Sequence, residues 1–462
     1  MDAPITVDRL RFLLFSLKEK LWVKPLSLCL LSIAAVFTSK LADGTALAQH
    51  LPKVEQASVE TLLSIMASSM LVIATFSAGT MVSAYSSASR SSTPRSVSLI
   101  ISDDASQNAL STFVGAFIFS VVAITVSSNN FFEDAGIFLL FCLTCLVFAI
   151  VILTFIRWVD SVARLGRVGS TVQKVEAAAM RAINHRLSTP RLGGKQQPKS
   201  VKEQGGDTSK YQTLTTDSIG YVQMVDMAKV QAWAEEHDTQ VHIAMLPGEF
   251  CTPDRPLCYI ESVKKKHSVD NSKNKSSDKV DGQSDGNDEG KSNEKIDKAA
   301  LLSAFQIGSE RSFEADPRYG LVVLSEIASR ALSPSVNDPG TAISILGSYA
   351  RLFIQWAQKE KENEANDIKY HNVTVPNIST EDMFDDAFTG FARDGASMIE
   401  VSIRMQKTLD AIAKTSNGKV STAATEHAKT AYERSIDALT YEGDKEALNA
   451  IVNKLNHKNS NP

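Results

Sequence analysis

TLLSIMASSMLVIATFSAGTMVSAYSSA, residues 61–88, contains no charged side chain. A membrane-spanning helix needs roughly 20 predominantly apolar residues, so this run is long enough to cross a bilayer. Three further apolar runs accompany it, at residues 22–41, 110–128 and 136–158. The first is the weakest, because Lys24 and Lys40 shorten its apolar centre and must extend their amines to the interface. From about Gly166 onward the chain turns charged and soluble in character. The expected fold class is therefore a membrane α-helical region of four transmembrane helices, followed by an α+β domain with a small β section and a helical C-terminal part.

Orientation follows from the Lys and Arg residues of the short loops. Arg9, Arg11, Lys18 and Lys20 precede the first run, Arg90 and Arg95 follow the second, and Arg157, Arg164, Arg167 and Lys174 follow the fourth. The first loop carries only Lys53, and the third, NNFFED at residues 129–134, carries no basic residue. Both termini and the soluble domain are thus expected on the cytoplasmic side. The net charge of -4 over 462 residues gives no electrostatic footprint for nucleic acid.

Within residues 61–88, Ser64, Ser68, Thr75, Gly79 and Ser83 recur at helical spacing and fall on one face, flanked by Thr61 and Ser86. Small residues of this kind support close helix packing in lipid. The sharper reading is a polar lining shared between subunits. Cys142-x-x-Cys145 lies within an apolar helix with no second ligand pair, so its thiols read as small hydrophobes. No metal site and no cofactor is expected.

The expected organisation is a cytoplasmic N-terminal segment at 1–21, the membrane region at 22–158 and a helical extension at 159–187. A linker rich in Gly, Pro, Gln and Lys follows at 188–210, then a small α+β section at 211–262. The Ser, Asn, Asp and Lys-rich stretch at 263–298 reads as a disordered insertion. Residues 299–462 read as helical, with a polar insertion near 359–380. In the α+β section, Asp226 is placed to cap a short helix between strands.

The most informative soluble stretch surrounds two Asp-Pro pairs. Asp316-Pro317 and, after Ser333-Pro334, Asn337-Asp338-Pro339 each present an acidic N-cap followed by proline at the first helical position, where its missing N–H costs nothing. Glu326 and Arg330 stand four residues apart and can pair on one helix face. The resulting corner of Arg311, Asp316, Glu326, Arg330, Ser333, Asn337, Asp338 and Thr341 reads first as a capped, salt-bridged turn. The alternative is a site for a small anion or a protein partner, with Arg330 reaching an anion at a helix N-terminus.

With these residues in place, the chain resembles the DUF2254 family of bacterial predicted membrane proteins of unknown function. Phe76-Ser77-Ala78-Gly79-Thr80 and Ser91-Ser92-Thr93-Pro94-Arg95 carry the resemblance in the first half. Gly220-Tyr221-Val222-Gln223, Pro247-Gly248-Glu249-Phe250 and the run from Arg330 to Ala342, RALSPSVNDPGTA, carry it in the second, with Gly308, Arg311 and Asp316 upstream. The chain departs from the family at Ala315, where Gln is usual, and in its two polar insertions. The resemblance implies a multi-pass protein of the bacterial inner membrane and brings no activity with it. No Gly-rich phosphate loop, catalytic triad order or metal-ligand spacing accompanies it. The function expected is a non-enzymatic, channel-like or transport-related homo-oligomer in the lipid bilayer, with a ligand- or partner-sensing cytoplasmic domain. A tethered scaffold or sensor without a pore is the alternative, and a tethered enzyme the third reading.

Overall fold

The computed structural model describes residues 22–43, 52–91, 93–96, 98–99, 104–164, 167–199, 201, 210–261, 298–362 and 368–459. The N-terminal segment 1–21 and nearly all of the insertion 263–298 lie outside the described residues. The apolar first third forms α1 (Val23–Thr38), α2 (Gln56–Ser91), α3 (Asp104–Ser128) and α4 (Asp134–Val162). Beyond it run α5 (Val168–Ser188), β1 (Gly194–Gln196), β2 (Tyr211–Leu214), β3 (Gly220–Val225), α6 (Met227–Glu236), β4 (Val241–Ile243), β5 (Phe250–Cys251), β6 (Cys258–Glu261) and β7 (Phe305–Gly308). They are followed by α7 (Tyr319–Ala331), α8 (Pro339–Glu362), β8 (Tyr370–Val375), α9 (Ile399–Thr415) and α10 (Gly418–Ala438).

Among the described residues, three helices are long and apolar enough to cross a membrane: Gln56–Ser87, Ala105–Ser128 and Asp134–Val162. The expected first span is shorter than read, since α1 holds 16 residues and gives way to a 3-10 turn at Ser39–Ala42. Two contacts tie α1 to its neighbours along its length. Lys24 Nζ donates to Asn108 Oδ1 of α3 at 3.2 Å near one end. At the other, Lys40 Nζ donates to Phe131 O at 2.7 Å, and the Asp43 carboxylate accepts from the N–H groups of Glu133 at 3.1 Å and Gly136 at 2.6 Å. Glu133 itself supplies no side-chain cap, so Asp43 satisfies donors at the start of α4 from outside that helix. Midway, Gly115 lets α1 approach, since a Cβ there would stand 3.0 Å from Leu28 Cδ2 and 3.3 Å from Ser32 Oγ. Phe76, Phe113, Phe155 and Trp158 form edge-on and tilted ring contacts joining α2, α3 and α4.

The chain divides into two compact units that interleave in sequence. One takes Ala182–Pro317 and Lys359–Ser379. It contains a five-stranded sheet in the order β1-β8-β4-β6-β2, parallel across β1, β8 and β4 and antiparallel across β4, β6 and β2. One face of that sheet, with Val241, Ile243, Ile260, Val373 and Val375, shares a core with Val230 and Trp233 of α6, whose first turn Asp226 caps through Lys229 N at 3.1 Å. A second sheet, β5-β3-β7, is antiparallel throughout. Two sequence expectations change here. The linker 188–210 contributes β1, and the polar insertion near 359–380 contributes β8, a strand paired on both sides. Tyr370-His371-Asn372-Val373-Thr374-Val375 alternates, with Val373 and Val375 on the apolar face, and that alternation outweighs its polar composition.

The other unit takes Val7–Arg181, Arg318–Gln358 and Thr380–Pro462, so the membrane helices belong to the same compact unit as α7 and α8. Its soluble core is aromatic: Tyr349 and Phe353 of α8 pack on Phe384, Phe388 and Phe391 across a π-helical turn at Asp385–Thr389. α7 lies almost wholly buried. Gly320 of α7 abuts Ala179 of α5, the Tyr349 hydroxyl donates to Leu321 O at 3.1 Å, and Arg351 of α8 forks onto Glu176 of α5 at 2.5 and 2.7 Å. A Cβ at Gly320 would run into the Ala179 side chain and backbone. We therefore expect Gly320→Ala to destabilise this unit by about 1–3 kcal/mol through overpacking, seen as a lower thermal midpoint in detergent solution. A neutral or stabilising change would show that the two helices part at little cost.

Candidate functional site

The residues of the corner predicted from the two Asp-Pro pairs fall in both compact units. Arg311 and Asp316 belong to the unit of the two sheets; Glu326, Arg330, Ser333, Asn337, Asp338 and Thr341 belong to the membrane-containing unit.

In the second group, Asp338 is the N-cap of α8 as expected. Its carboxylate accepts from Thr341 N at 3.0 Å and from the Thr341 hydroxyl at 2.6 Å. The Thr341 hydroxyl first, then the Thr341 N–H, holds the Asp338 carboxyl below the usual carboxylate range. Asn337 takes φ +50°, a left-handed conformation that Asn tolerates, and its N–H closes onto Ser333 O at 2.9 Å. The Ser333 hydroxyl donates to Arg330 O at 2.7 Å. The connection from α7 to α8 is thus built from its own backbone, and Pro334, Ser335, Val336 and Asn337 stand exposed.

Glu326 does not pair with Arg330. Its carboxylate accepts from the Thr93 hydroxyl at 2.8 Å and pairs with the Arg95 guanidinium. Thr93 and Arg95 sit on the connection between α2 and α3, so an acidic side chain of α7 ties directly to the loop joining two membrane helices. Arg330, one turn on, is exposed and has no side-chain partner among the described residues. A local rule of spacing favoured the i, i+4 pair; a partner more than two hundred residues away displaced it because its hydroxyl and guanidinium together satisfy both carboxylate oxygens.

In the first group, the helix that follows Asp316 is described from Tyr319, with Arg318 in the N-cap position. Asp316 is 2 % exposed and accepts from Arg311 Nε at 2.6 Å. Gly248, at φ +98°, lies so close that a Cβ there would collide with the Asp316 carboxylate. The Pro247-Gly248 turn and the Arg311–Asp316 pair, separate in sequence, therefore form one cluster. Arg186, at the last turn of α5, joins them: its guanidinium donates to Ala315 O at 3.4 Å. Burial pushes Arg186 down to about 10, while the charge of Asp316 works in the other direction.

On α2, Ser64, Ser68, Thr75, Gly79 and Ser83 are all exposed. The packed stripe of that helix is Val59, Leu63, Met66, Met70, Ala74, Ser77 and Met81, roughly opposite at helical spacing. Nothing lies within 4 Å of a Cβ at Gly79. The small-residue face therefore does not pack on other helices among the described residues. The hydroxyls of Thr61, Ser68 and Thr75 donate to the carbonyls one turn earlier, at 2.8, 2.9 and 2.8 Å. Cys142 and Cys145 are free and exposed on the outer surface of α4. His242 is buried, its Nδ1 2.7 Å from the Thr374 hydroxyl, and burial holds it down to about 4, as fits a structural histidine. Among the described residues no cluster of His, Cys, Asp and Glu forms a metal site. Sequence reasoning missed Arg186 as a member of the buried cluster and Thr93 and Arg95 as partners of Glu326; pairs this far apart leave no periodic signal.

The family model described as "Predicted membrane protein (DUF2254)" matches residues 18–411 of the chain. No curated protein matches it, and neither does any solved structure.

Two outcomes follow from this geometry. Arg95→Glu and Glu326→Arg should each lower the thermal midpoint, and the combined swap should recover part of the loss. The coupling is expected at about 0.5–1 kcal/mol, since Arg95 is largely exposed; strict additivity would exclude a direct pair. Asp338→Ala should cost about 1 kcal/mol of cap energy. Because the native carboxyl is held low, that contribution is full above the ordinary carboxylate range and fades as pH falls through the lowered value. Stability curves of the two proteins should converge in acid.

Proposed function

Because the chain belongs to the DUF2254 family of predicted membrane proteins, we propose that it is a multi-pass inner-membrane homo-oligomer, channel-like or transport-related. Its copies meet through the hydroxyl-bearing face of α2, and its cytoplasmic region senses a small anion or a protein partner. The observation that carries this reading is the reversal on α2: the face richest in Ser, Thr and Gly points away from the protein's own bundle. A second copy covering that face would gain close backbone approach at Gly79 and a polar stripe along the shared axis.

In this reading α1 crosses the membrane with the other three helices. α1 and the 3-10 turn after it rise roughly 30 Å together, near the thickness of a hydrocarbon core. The contacts of Lys24 with Asn108 and of Asp43 with the start of α4, near the two ends of α1, support the same span. With four crossings, the basic loops around Arg95 and Arg164 share one side with both termini, which the positive-inside rule makes cytoplasmic.

A second reading, assembly without a conducting path, draws on the back-bonded hydroxyls. Thr61, Ser68 and Thr75 already satisfy their donors within α2, so the face needs no water to remain stable.

Native mass spectrometry of the full-length protein in mild detergent separates these readings from a monomer. Three or more copies are expected, and disulfide cross-linking of Ser68→Cys across copies should succeed. A strict monomer, or cross-linking only from the packed face, would remove the shared-axis proposal. Replacing Ser64, Ser68, Thr75 and Ser83 with Leu should abolish conductance if the face lines a path; unchanged oligomers with no conductance in either form would leave the scaffold reading.

A further inference from the structure

We propose that the outward face of α4 holds an anionic phospholipid, its headgroup phosphate received by the Arg157 guanidinium and its acyl chain lying along Leu153, Ile150 and Leu146. The proposal rests on α4 crossing the membrane. It goes beyond the assembly reading, since it concerns a helix face that no second copy is asked to cover.

Along α4 and just past its end, Leu146, Ile150, Leu153, Arg157, Asp160 and Arg164 follow one another at steps of four and three, so they share one face. All six are exposed. The face changes character at Arg157: three apolar side chains come before it, and it opens a run of three charged ones. From Gly136, near the start of the helix, to Arg157 the axis rises about 31 Å, close to the roughly 30 Å of a hydrocarbon core. Arg157 therefore stands where hydrocarbon gives way to headgroups. From Leu146 to Arg157 the rise is about 16 Å, near the depth of one leaflet.

No acid of this face answers Arg157. Asp160, one turn on, pairs with Arg164, and Arg157 has no side-chain partner among the described residues. Arg167 is exposed and without one as well. It is held close to the end of α4, because the Ser170 hydroxyl lies 3.0 Å from Arg164 O and 2.8 Å from Arg167 O. Three arginines thus meet one carboxylate along this boundary. A cation at the edge of hydrocarbon is costly until it is paired, and a guanidinium fork matches two oxygens of a phosphate. An anionic phospholipid brings that phosphate with no amine of its own to offset it, and its chain covers the exposed apolar stripe below. Free phosphate would leave the stripe bare, and a zwitterionic lipid would set its own cation among the arginines.

The test uses the full-length protein in mild detergent and reads lipid adducts by native mass spectrometry. Phosphatidylglycerol and phosphatidylcholine of equal chain length are titrated separately, and phosphatidylglycerol is expected to bind more tightly. Arg157→Gln should weaken phosphatidylglycerol by about fivefold, the contribution of one basic residue at an anionic surface, and leave phosphatidylcholine unchanged. Asp160→Asn should tighten phosphatidylglycerol, because the competing carboxylate is gone and Arg164 is released. Lys53→Gln, which removes a cation paired with Asp134 at the opposite end of α4, should change neither lipid. Inorganic phosphate should not displace phosphatidylglycerol. The proposal is overturned if both lipids bind alike, if Arg157→Gln retains phosphatidylglycerol as the native protein does, or if Asp160→Asn weakens it. Displacement by inorganic phosphate would remove the lipid as occupant. So would an Arg157→Gln protein whose copy number changes while its lipid binding does not, since a second copy would then cover this face. A monomer that keeps the lipid preference would remove the assembly reading and leave this site standing.

Discussion

α7 is the element on which the membrane-containing unit depends. A helix buried along most of its surface leaves a charged residue little water, and Glu326, with 30 % of its side chain exposed, lies in its middle. The charge is tolerated because Thr93 and Arg95, on the loop between α2 and α3, meet both oxygens of the carboxylate. Two turns earlier, Gly320 has given up its side chain so that α5, which follows the last membrane helix in sequence, can lie against the same α7. One soluble helix is thus gripped by two membrane connections, through a charge-assisted pair at one point and backbone proximity at the other. Movement of α2 relative to α4 must be absorbed by α7 or break one of these contacts, because packed interiors do not stretch.

The membrane helices present a second constraint. Hydrocarbon supplies no hydrogen bonds, so each Ser or Thr hydroxyl must find an acceptor close at hand. On the exposed face of α2 that acceptor is the carbonyl one turn back, a bond any helix can offer. Spacing alone showed that these residues share a face. It does not show which way the face turns, because packing inside one chain and packing between chains both reward small residues. The direction is set by the opposing stripe of Leu63, Met66 and Met70, whose larger apolar side chains share a core with α3 and α4.

Much of the architecture was legible because it rests on local chemistry. The long uncharged runs, the Asp226 and Asp338 caps and the strands near Gly220 and Val241 each carry their signal within a few residues. The failures share a cause as well. β8 lies in a segment whose composition resembles a polar insertion, and only its two neighbours in the sheet make it a strand. Glu326 obeyed a distant partner in preference to Arg330. In both cases a long-range contact satisfied more polar atoms than the local rule did.

Two arginines show how burial changes what a charge implies. Arg351 is 59 % exposed on its side chain and makes a forked bridge to Glu176, which the Arg351 hydrogen bond first of all holds ionised, below the usual carboxylate range. Solvent would replace most of that bridge if it broke, so it orients α5 on α8 more than it stabilises them. Arg186 has the opposite character. Its nearest anion is already bonded to Arg311, its own bond is long, and burial lowers its proton affinity. Burying that cation carries a desolvation cost that an apolar residue of similar length would avoid, so what Arg186 gains in contacts is offset in part by its burial.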